Sequence, residues 1–367
     1  MSMVRIGVDA RPLAYPGTGI FRYTKELLSR MCRMGGEWYL YSPIDYEVDT
    51  LKLSNVHHRV VRLSARLRVG QLAHIMIPMW ARKDAISAFW GPRHQIPLFM
   101  PNEVNTVVTI HDLVFKDCAQ TMRFPGKQIE AFFTPRAMAR ANCVAVVSNF
   151  THRRLAEYYP QFADKVAVIP GASLLQGATS QSEAEAGAIS VPAYFLFVGT
   201  LEPRKNLPRL LRAFRRFVEE TASGLSLKIA GNVGWGGQNI AGMVKELGIS
   251  DRVELLGRVS DDQLRGLYSN AHTLLMPSLY EGFGLPVIEA LSCGVPVVTS
   301  ENSAMSEVAG PAAHYVDPLS EEDIFRAMER MVSDAESHVE LKNRALDRVG
   351  VYDWDRSAEA LFSKLID

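Results

Sequence analysis

Glu281 and Glu289 stand eight residues apart around a glycine-rich loop, a spacing that lets two carboxylates bind different parts of one extended ligand. Glu281 follows an apolar, strand-like segment, whereas Glu289 falls within the next helix, whose first turn suits Pro286. Gly282 and Gly284 allow the backbone to approach a ligand closely. Because one carboxylate can accept two hydroxyl groups, the pattern suits the vicinal diol of a ribose. The alternative is a surface loop residue at Glu281 and an internal ion pair at Glu289.

A second segment, Gly-Thr-Leu-Glu-Pro-Arg-Lys-Asn at residues 199–206, carries two adjacent cations. It also follows an apolar strand and opens a helix, so Arg204 and Lys205 are predicted to lie at a helix N-terminus, with Asn206 as the cap. The helix dipole, unpaired backbone N–H groups and two positive charges together favour a diphosphate. Two solvated charges on a turn are the alternative, which the carboxylate pair in the same half of the chain makes less attractive.

The elements that position these residues alternate between strand-like and helix-like segments, which is typical of βαβ units and parallel sheets. In the first half, strands are predicted at 5–9, 38–41, 105–111, 143–148 and 166–169, and helices at 20–34, 128–140 and 150–158. In the second half, strands are predicted at 194–199, 226–230, 253–256, 272–276 and 295–299, and helices at 207–221, 240–247, 261–269 and 286–293.

Between these halves, residues 171–192 are rich in Gly, Ala, Ser, Gln and Glu, and we interpret them as a linker. The sequence therefore predicts an α/β fold with two doubly wound, Rossmann-like domains at 1–170 and 193–350. These domains are expected to face each other across a ligand-binding cleft. Residues 351–367 are predicted to form a C-terminal helix that packs back on the first domain.

Composition is that of a soluble two-domain protein. The 367 residues are 47% hydrophobic and 22% charged, and no apolar run reaches the roughly 18 residues of a membrane-spanning helix. The N-terminal segment enters a strand without a signal-peptide pattern, which predicts a cytoplasmic location. The cysteines lack the spacing of metal ligands and are expected to be reduced thiols: Cys32, Cys118, Cys143 and Cys293.

Taken together, the motifs resemble the retaining glycosyltransferase family 4, which has the GT-B fold. The resemblance rests on the two segments above and on a Gly17-Thr18-Gly19 loop, and it extends over nearly the whole chain. Three further segments are similar to bacterial mannosyl- and rhamnosyltransferases of O-antigen and exopolysaccharide synthesis: Asp9-Ala-Arg-Pro-Leu, Ile110-His-Asp-Leu-Val and Leu291-Ser-Cys-Gly-Val-Pro-Val-Val. The set is specific for the family and only weakly specific for the sugar.

The resemblance implies a role for each matching position. Glu289 would bind the ribose of a nucleotide-sugar, and Glu281 the hydroxyls of the transferred sugar. Arg204 and Lys205 would neutralise the pyrophosphate, and His111 would contact the sugar and its developing charge. The remaining positions, which would surround the phosphates, sugar and base of the donor, are Gly17, Thr18, Gly19, Thr200, Val259, Gly282, Phe283, Gly284 and Leu285.

The same resemblance implies transfer of mannose or 6-deoxymannose (rhamnose) to a saccharide or lipid-linked saccharide, with a GDP-sugar favoured as the donor. In a retaining reaction of this kind, fixed cations stabilise the departing diphosphate and a phosphate oxygen takes the acceptor's proton. Neither a side-chain nucleophile nor a separate cofactor is then needed. Three other hypotheses remain open: a nucleotide-sugar epimerase of the same fold, a UDP-sugar-dependent transferase of the family, and a sugar-binding protein without catalysis.

Two acidic motifs are better explained by helix capping than by cation binding. Asp353-Trp-Asp355 has the spacing found in metal-dependent transferases, but it follows no apolar strand and precedes a helical pattern. Ser260-Asp-Asp-Gln263 matches a capping box. No other carboxylate cluster suggests a cation, and Arg204 with Lys205 supplies the charge that a metal would bring. The sequence therefore predicts that no metal is used.

The charge distribution suggests a membrane partner rather than nucleic acid. Residues 1–170 hold 22 Lys and Arg against 13 Asp and Glu, and residues 57–83 contain no acidic residue. The cations of that stretch are Arg59, Arg62, Arg66, Arg68, Arg82 and Lys83, and its apolar side chains include Leu63, Leu67, Ile75, Met76, Ile77 and Trp80. Such a surface could rest on anionic lipid at the inner face of the cytoplasmic membrane. A helix with a solvated basic face is the alternative.

Overall fold

The computed structural model describes residues 4–60, 69–175, 194–236 and 239–367. The chain forms two compact units: Met1–Leu113, Phe124–Gly171 and Asp353–Asp367 make the first, and Val114–Arg123 and Ala172–Tyr352 make the second. Residues 114–123 thus group with the second unit, whereas the sequence had suggested the first domain. Most of the predicted linker, and the basic residues 61–68, lie outside the described residues.

Each unit contains one parallel sheet. The first sheet has the order β3-β2-β1-β4-β5-β6-β7, and its strands are β1 (Arg5–Asp9), β2 (Glu37–Ser42), β3 (Val56–Val60), β4 (Ala88–Gly91), β5 (Asn105–Ile110), β6 (Cys143–Val146) and β7 (Val166–Val168). The second has the order β10-β9-β8-β11-β12-β13, and its strands are β8 (Tyr194–Val198), β9 (Ser226–Ala230), β10 (Val253–Gly257), β11 (Thr273–Met276), β12 (Val297–Ser300) and β13 (Ala313–Val316).

Helices connect the strands, as parallel pairing requires. Their bounds are α1 (Gly19–Met34), α2 (Val69–Lys83), α3 (Val114–Asp117), α4 (Gly126–Arg140), α5 (Asn149–Tyr158), α6 (Leu207–Glu220), α7 (Ile240–Glu246), α8 (Asp261–Ser269), α9 (Leu285–Ser292), α10 (Ala304–Ala309), α11 (Glu321–Ser333), α12 (Ala335–Val349) and α13 (Trp354–Ile366). Among the described residues, no helix is both long enough and apolar enough to cross a membrane.

The central strands consist of apolar residues because they are buried on both faces. The strand β8, Tyr-Phe-Leu-Phe-Val, is buried at every position because helices cover both faces of its sheet. Phe195 packs edge-on against Phe214 and Phe217 of α6, with ring centroids 6.5 and 5.2 Å away. Full burial of side chains of this size contributes roughly 1.5–3 kcal/mol each to folding. A rigid central strand therefore carries the loop that bears Arg204 and Lys205.

The helix α13 belongs to the first unit and packs against α1, β4 and β5. Its buried face includes Trp354, Leu361 and Leu365. The Asn105 amide, at the start of β5, donates to the carbonyls of Lys364 and Leu365 at 3.0 and 3.1 Å, which satisfies carbonyl groups at the helix C-terminus. This segment is therefore an integral part of the first unit's core.

Strand order reverses once in each sheet, between β1 and β4 in the first and between β8 and β11 in the second. At such a reversal, neighbouring connections leave the sheet on opposite faces and open a crevice at the carboxyl ends of the strands. In the second unit, the loops after β8 and β11 carry the predicted diphosphate segment and Glu281. In the first unit, the loops after β1 and β4 flank the corresponding edge. The topology thus selects where each unit can bind a ligand.

Candidate active site

The ends of β8 and β11 lie side by side because these strands are hydrogen-bonded neighbours. A short 3₁₀ turn after β8, Pro203–Lys205, holds the two cations, and the loop after β11 holds Glu281. The backbone N–H of Leu279 donates to the carbonyl of Arg204 at 2.8 Å and joins the two loops. Cations and carboxylate that are far apart in sequence are therefore brought together by the topology of the sheet.

Arg204, Lys205 and Glu281 form one ion cluster. Arg204 Nη1 lies 2.6 Å from Glu281 Oε2, and the Lys205 ammonium donates to the other carboxylate oxygen, Oε1. Arg204 Nε also donates to Glu202 at 3.2 Å. Lys205 and Glu281 are each only 6% exposed, so Glu281 is not a surface residue of the loop. A diphosphate bound here would compete with Glu281 for both cations.

The cluster holds Glu281 in its ionised form. Burial by itself would raise the pKa of this carboxyl, but the charges of Arg204 and Lys205 outweigh burial and hold the pKa at about 2. Burial lowers the pKa of Lys205 in spite of the adjacent carboxylate. At neutral pH Glu281 is therefore an anion that can accept hydrogen bonds and cannot act as a proton donor.

Asn206 was predicted to cap the helix after the cations, and this prediction is confirmed for its position but not for its side chain. Asn206 is the N-cap residue of α6, in the left-handed conformation (φ +63°), and its side chain caps no backbone N–H. The Asn206 amide instead donates to the carbonyls of Pro277 and Pro318 at 3.0 and 2.6 Å. Asparagine tolerates positive φ better than most residues, and here its side chain bridges the turn to the end of β11. Asn206 therefore fixes the turn that presents Lys205.

The loop between Glu281 and α9 is closed by backbone contacts. The N–H of Ala304, at the start of α10, donates to the carbonyl of Glu281 at 3.2 Å. Gly284 precedes α9 with φ +99°, and a Cβ there would lie 3.0 Å from the Met305 side chain. Both the backbone conformation and the close approach require glycine. Gly282 and Phe283 are buried and Leu285 is half-buried, with Phe283 edge-on to Tyr352 at 5.4 Å.

Glu289 lies in α9 and is 1% exposed. Its Oε2 accepts a hydrogen bond from the Tyr268 hydroxyl of α8 at 3.0 Å. The tyrosine hydroxyl uses one acceptor site of Oε2, and an ionised carboxylate has further acceptor sites for the hydroxyls of a ribose. The contact of Tyr268 with Glu289 was not predicted from the sequence, because an aromatic residue at helical spacing usually indicates a core position. The role of Glu289 in ribose binding stays a prediction.

Two other predicted donor-binding positions lie at the same edge of the second sheet. Thr200 is half-buried directly after β8, where the N–H of Leu201 donates to the carbonyl of Asn232 at 2.9 Å. Val259 is half-buried between β10 and α8. Since β10 lies two strands from β8, Val259 is displaced along the sheet edge from the ion cluster. An extended ligand such as a nucleotide-sugar has the length to reach both positions.

In the first unit, the predicted phosphate loop is exposed and starts α1. Thr18 is the N-cap, its hydroxyl oxygen accepting from the N–H of Phe21 at 3.1 Å, and Gly17 has φ +93°. Gly19 is the first residue of the helix. The threonine side chain therefore has a structural task already, and what the loop offers an anion is the backbone of the helix N-terminus. Its contact with phosphate remains a prediction.

His111 follows β5 and is held by the loop after β4. Its Nε2 lies 2.7 Å from the carbonyl of Pro92, and its backbone N–H donates to His94 Nε2 at 2.8 Å. Tyr23 of α1 contacts the imidazole edge-on at 5.0 Å. Burial, followed by the neighbouring His94, lowers the pKa of His111 to about 3. His111 is therefore neutral at physiological pH and positions a ligand rather than supplying a charge.

Sequence reasoning did not single out His94 or Glu130, which support His111. The strand that places His94, β4, has only four residues, too few for a periodic pattern. Glu130 sits in α4 among apolar residues and forms a buried contact with His94 Nδ1 at 3.0 Å. The one feature of the sequence that could have indicated His94 is its place shortly after a run of large apolar residues.

The acidic motifs serve as caps, as predicted. Ser260 and Gln263 form a complete capping box at α8, and the Asp353 carboxylate accepts from the N–H of Arg356 at the start of α13. Asp355 pairs with Arg30 of α1 at 2.7 Å. Within the described residues, no group of three or more His, Cys, Asp or Glu side chains is arranged to hold a metal ion. Independence from metal stays a prediction.

The predicted membrane surface is partly revised. Arg59 is paired with Asp84 at 2.8 Å, Ile77 is fully buried, and Trp80 stacks on Tyr41 at 5.9 Å. Ile77 is therefore not available to a lipid surface, whereas Arg59 and Trp80 are half-buried and contact other side chains of the first unit. Five residues of the stretch lie outside the described residues: Arg62, Leu63, Arg66, Leu67 and Arg68. The exposed members of α2 include Ile75, Met79, Arg82 and Lys83.

Two family models match consecutive parts of the chain. Residues 17–172 match the model described as Glycosyltransferase Family 4, and residues 180–348 match the model described as Glycosyl transferases group 1. The first match includes the loop at Gly17–Gly19 and His111. The second includes the ion cluster and Glu289. Together they cover most of the chain.

Individual proteins are similar over nearly the full length. The O-antigen chain mannosyltransferase B of Escherichia coli is 28% identical, with 96% of this chain and 97% of that protein aligned. The O-antigen chain mannosyltransferase RfbU of Salmonella typhimurium is 24% identical, with 95% and 96% aligned. The crystal structure of WaaG, a glycosyltransferase involved in lipopolysaccharide biosynthesis, has a TM-score of 0.81 at 14% identity over 99% of both chains. The chain is therefore a glycosyltransferase with the GT-B fold and belongs to glycosyltransferase family 4.

Proposed function

We propose that this protein transfers mannose from GDP-mannose to a saccharide or lipid-linked saccharide during synthesis of a surface polysaccharide of the O-antigen type. The observation that carries the proposal is the buried cluster of Arg204, Lys205 and Glu281 at the strand-order reversal of the second sheet. The choice of mannose is supported by the full-length relatives, two of which are O-antigen chain mannosyltransferases. GDP-rhamnose is the second candidate donor.

The cluster suits departure of a nucleoside diphosphate. In the ligand-free protein, Arg204 and Lys205 bind Glu281; a bound diphosphate offers them a second, more highly charged partner. Cations fixed in a buried position need no reorganisation as negative charge grows on the leaving group, so they lower the barrier. Glu281, released in part from these cations, is then free to accept hydroxyls of the sugar. Transfer proceeds with retention, without a metal ion or cofactor.

The test is acceptor-dependent release of GDP. Protein, GDP-mannose and a lipid-linked saccharide acceptor are mixed, and GDP and glycolipid products are measured; Lys205→Met serves as the inactive control. GDP release that requires the acceptor supports the proposal. Conversion of the donor to an epimer without acceptor would establish the epimerase hypothesis, and donor binding without any turnover would establish a binding protein.

Nucleotide choice is tested separately by thermal shift with GDP-, UDP-, dTDP- and ADP-sugars. A ligand that binds only the folded state raises the melting temperature, so the true donor should give the largest shift. GDP-mannose should stabilise the protein more than UDP-glucose. Stabilisation by UDP-glucose and none by GDP-mannose would contradict the donor proposed and favour a UDP-sugar-dependent transferase.

We further propose that the first unit rests on anionic lipid through one face of α2. Ile75, Met79 and Arg82 follow one another at helical spacing, and the two apolar side chains are 53% and 62% exposed. Arg82 donates to the carbonyl of Phe99 at 3.4 Å, which brings a 61%-exposed aromatic beside this face. Exposed apolar side chains with adjacent cations suit an anionic membrane surface, where lipid-linked acceptors reside.

Vesicle co-sedimentation tests this surface. Wild-type protein should bind vesicles containing phosphatidylglycerol and not neutral phosphatidylcholine vesicles, and Met79→Ser with Phe99→Ser should weaken binding. The matched control is Leu346→Ser, an exposed apolar residue of α12 in the second unit. Equal binding to both kinds of vesicle, or no binding, contradicts the lipid surface and leaves a solvated basic face.

A further inference from the structure

A chain of partly buried hydrogen bonds leads to His111 in the first unit. The Thr134 hydroxyl donates to Glu130 Oε2 at 3.0 Å, and the same oxygen lies 3.0 Å from His94 Nδ1. His94 Nε2 lies 2.8 Å from the backbone nitrogen of His111. His94 is 6% exposed, and Thr134 is fully buried. Thr134 and Glu130 lie one turn apart on α4, and tertiary packing joins this helix to the loops after β4 and β5.

The geometry fixes the protons of His94. A backbone N–H can only donate, so His94 Nε2 must be the acceptor in its contact with His111. While Nε2 accepts, the single ring proton of His94 lies on Nδ1, where it is donated to the Glu130 carboxylate. Burial disfavours the charged ring, but Glu130 outweighs burial and raises the pKa of His94, so this arrangement belongs to the neutral ring above that pKa. Burial raises the pKa of Glu130, but His94 and the hydrogen bonds at the carboxylate outweigh it, and the pKa lies below its ordinary value. Glu130 is therefore an ionised acceptor that selects one tautomer of His94.

The protons of His111 follow in the same way. Its Nε2 faces the carbonyl of Pro92, which can only accept, so Nε2 carries the proton and Nδ1 carries the lone pair. An imidazole in this state accepts a hydrogen bond from a sugar hydroxyl through Nδ1. Being neutral, it also adds no repulsion as positive charge develops on a sugar ring.

The segment that carries His94 has an unusual backbone conformation. His94 has φ +44°, a positive value that is uncommon outside glycine, although asparagine, aspartate and histidine adopt it more often than other residues. In the same loop, a Cβ on Gly91 would lie 2.2 Å from the carbonyl oxygen of Gln95, so the loop requires glycine at that position. Strained backbone of this kind persists where the surrounding structure over-determines it, and it is frequent at functional sites.

We infer that His94 is a positioning residue for His111, held in its tautomer by Glu130, and that it keeps the His111 ring on the Pro92 carbonyl, which selects the ring nitrogen offered to the donor sugar. The inference rests on the proposed role of His111 in mannosyl transfer. His94 acts through the backbone N–H of His111, and so sets the place of the imidazole at the end of β5. Loss of its Nε2 acceptor would remove the protein partner of this partly buried N–H and release the ring.

Two substitutions at one position separate the contacts of His94. In His94→Asn, the side-chain amide replaces Nδ1, so the contact with Glu130 survives and the acceptor for His111 is lost. Asparagine also suits the positive φ, so backbone strain cannot explain a defect in this variant. In His94→Gln, the amide oxygen replaces Nε2 and retains the acceptor for His111. The pair therefore tests the hydrogen bond to His111 and not the presence of histidine.

The expected result is a difference between the two variants in kcat. His94→Asn should lower kcat for GDP-mannose transfer by roughly 10- to 100-fold, with KM for the donor nearly unchanged, because a displaced catalytic group costs rate rather than affinity. His94→Gln should retain most of the wild-type kcat. Equal activity of both variants and wild type, or equal loss in both, would overturn the inference.

Nitrogen-15 NMR of the histidine rings gives a second readout that does not depend on turnover. Wild type and His94→Gln should show His111 protonated at Nε2, whereas His94→Asn should show a mixture of the two tautomers. Should wild-type protein fail to use GDP-mannose, the proposed function falls, and this spectrum alone decides the inference. Identical His111 spectra in all three proteins would then overturn it.

Discussion

The two units are built alike and charged differently. Each has a parallel sheet whose strand order reverses once. Each also carries polar side chains, of types able to bind a sugar nucleotide, in the loops at the strand ends. In the second unit those groups are ions: Arg204, Lys205 and Glu281 are buried together. In the first unit the group predicted to contact the sugar is neutral: His111 donates one ring proton to a carbonyl and keeps one lone pair. A buried ion pair of Asp9 with Arg11 also lies there, at the end of β1. Similar topology therefore supports different electrostatics at the predicted diphosphate and sugar contacts.

The difference matches two tasks within one proposed reaction. A departing diphosphate gains negative charge and is stabilised by fixed cations, whereas a sugar ring that gains positive charge is best met by neutral hydrogen-bond acceptors or anions. Sheet topology decides only where loops meet; the side chains on those loops decide what is bound there. If the charge of either site could be changed without loss of function, this electrostatic difference between the units would have no role in the reaction.

The largest effect is expected from removing a cation of the second unit. Lys205→Met keeps an unbranched buried chain and deletes the charge, so kcat for GDP release should fall by about 10³-fold, as for loss of a strong preorganised donor. The measurement is steady-state transfer from GDP-mannose. Arg215→Met is the control, since Arg215 lies on α6 with a 47%-exposed side chain paired to Glu219. Near-normal transfer by folded Lys205→Met would contradict the charged site.

Glu281→Gln should lower kcat by about 10²-fold through loss of the sugar's anionic acceptor. The change is also expected to reduce stability while the protein still folds, because Lys205 is buried against Glu281. Breaking such a pair costs about 3 kcal/mol in the free energy of unfolding.

Urea unfolding of a double variant checks the stability cost. Glu281→Gln combined with Lys205→Met removes both buried charges and should be more stable than Glu281→Gln alone. If the two single losses simply add in the double variant, the residues are not coupled, and the ion cluster does not explain the stability of this loop.

Binding of free GDP should separate the two glutamates. Glu289→Gln should weaken GDP binding by about tenfold, because the ribose loses a charged acceptor. Glu281→Gln should bind GDP as tightly as wild type or more tightly, since Glu281 competes with the diphosphate for Arg204 and Lys205. Isothermal titration calorimetry measures both. Equal weakening in the two variants would show that the donor is oriented differently.

The smallest effect is expected in the pH dependence of folding stability, to which neutral His111 contributes. Folding holds the pKa of His111 at about 3, while the unfolded chain takes up its proton near pH 6.5. Stability contributed by neutral His111 is thus present above pH 6.5 and is lost progressively as pH falls towards 3. Between pH 6.5 and 5.5 the loss should be about 1 kcal/mol. His111→Asn should lack this component when unfolding is compared at the two pH values; an unchanged pH dependence would contradict a neutral, buried imidazole.

Much of the fold could be predicted because strong apolar runs alternate with helical periodicity. The strand β9 and the helix α8 were predicted with the bounds that the structure has, Ser226–Ala230 and Asp261–Ser269. The strand β3, Val-His-His-Arg-Val, was not predicted, since its pattern is polar and its place depends on pairing with β2. The strands β4 and β13 have four residues each, too few to establish a period.

Within the site, sequence identified residue types and missed their partners. Arg204 and Glu281 were both predicted, but their contact depends on the pairing of β8 with β11, which no local pattern contains. Likewise, Tyr268 and Glu289 meet only because α8 and α9 pack together. Asn206 was given its usual local role as a cap, whereas tertiary contacts with Pro277 and Pro318 prevailed. Long-range pairing thus sets the electrostatics that spacing alone leaves open.

Both units are discontinuous in the chain, and this bears on how the protein is made. The first unit includes Asp353–Asp367, which a ribosome synthesises only after the whole of the second unit. Until α13 emerges, the surfaces that bury Trp354, Leu361 and Leu365 stay uncovered, and the nascent first unit is incomplete. A fragment ending at residue 171 should therefore misfold or bind chaperones, and a premature stop near residue 350 would damage the half of the protein translated first.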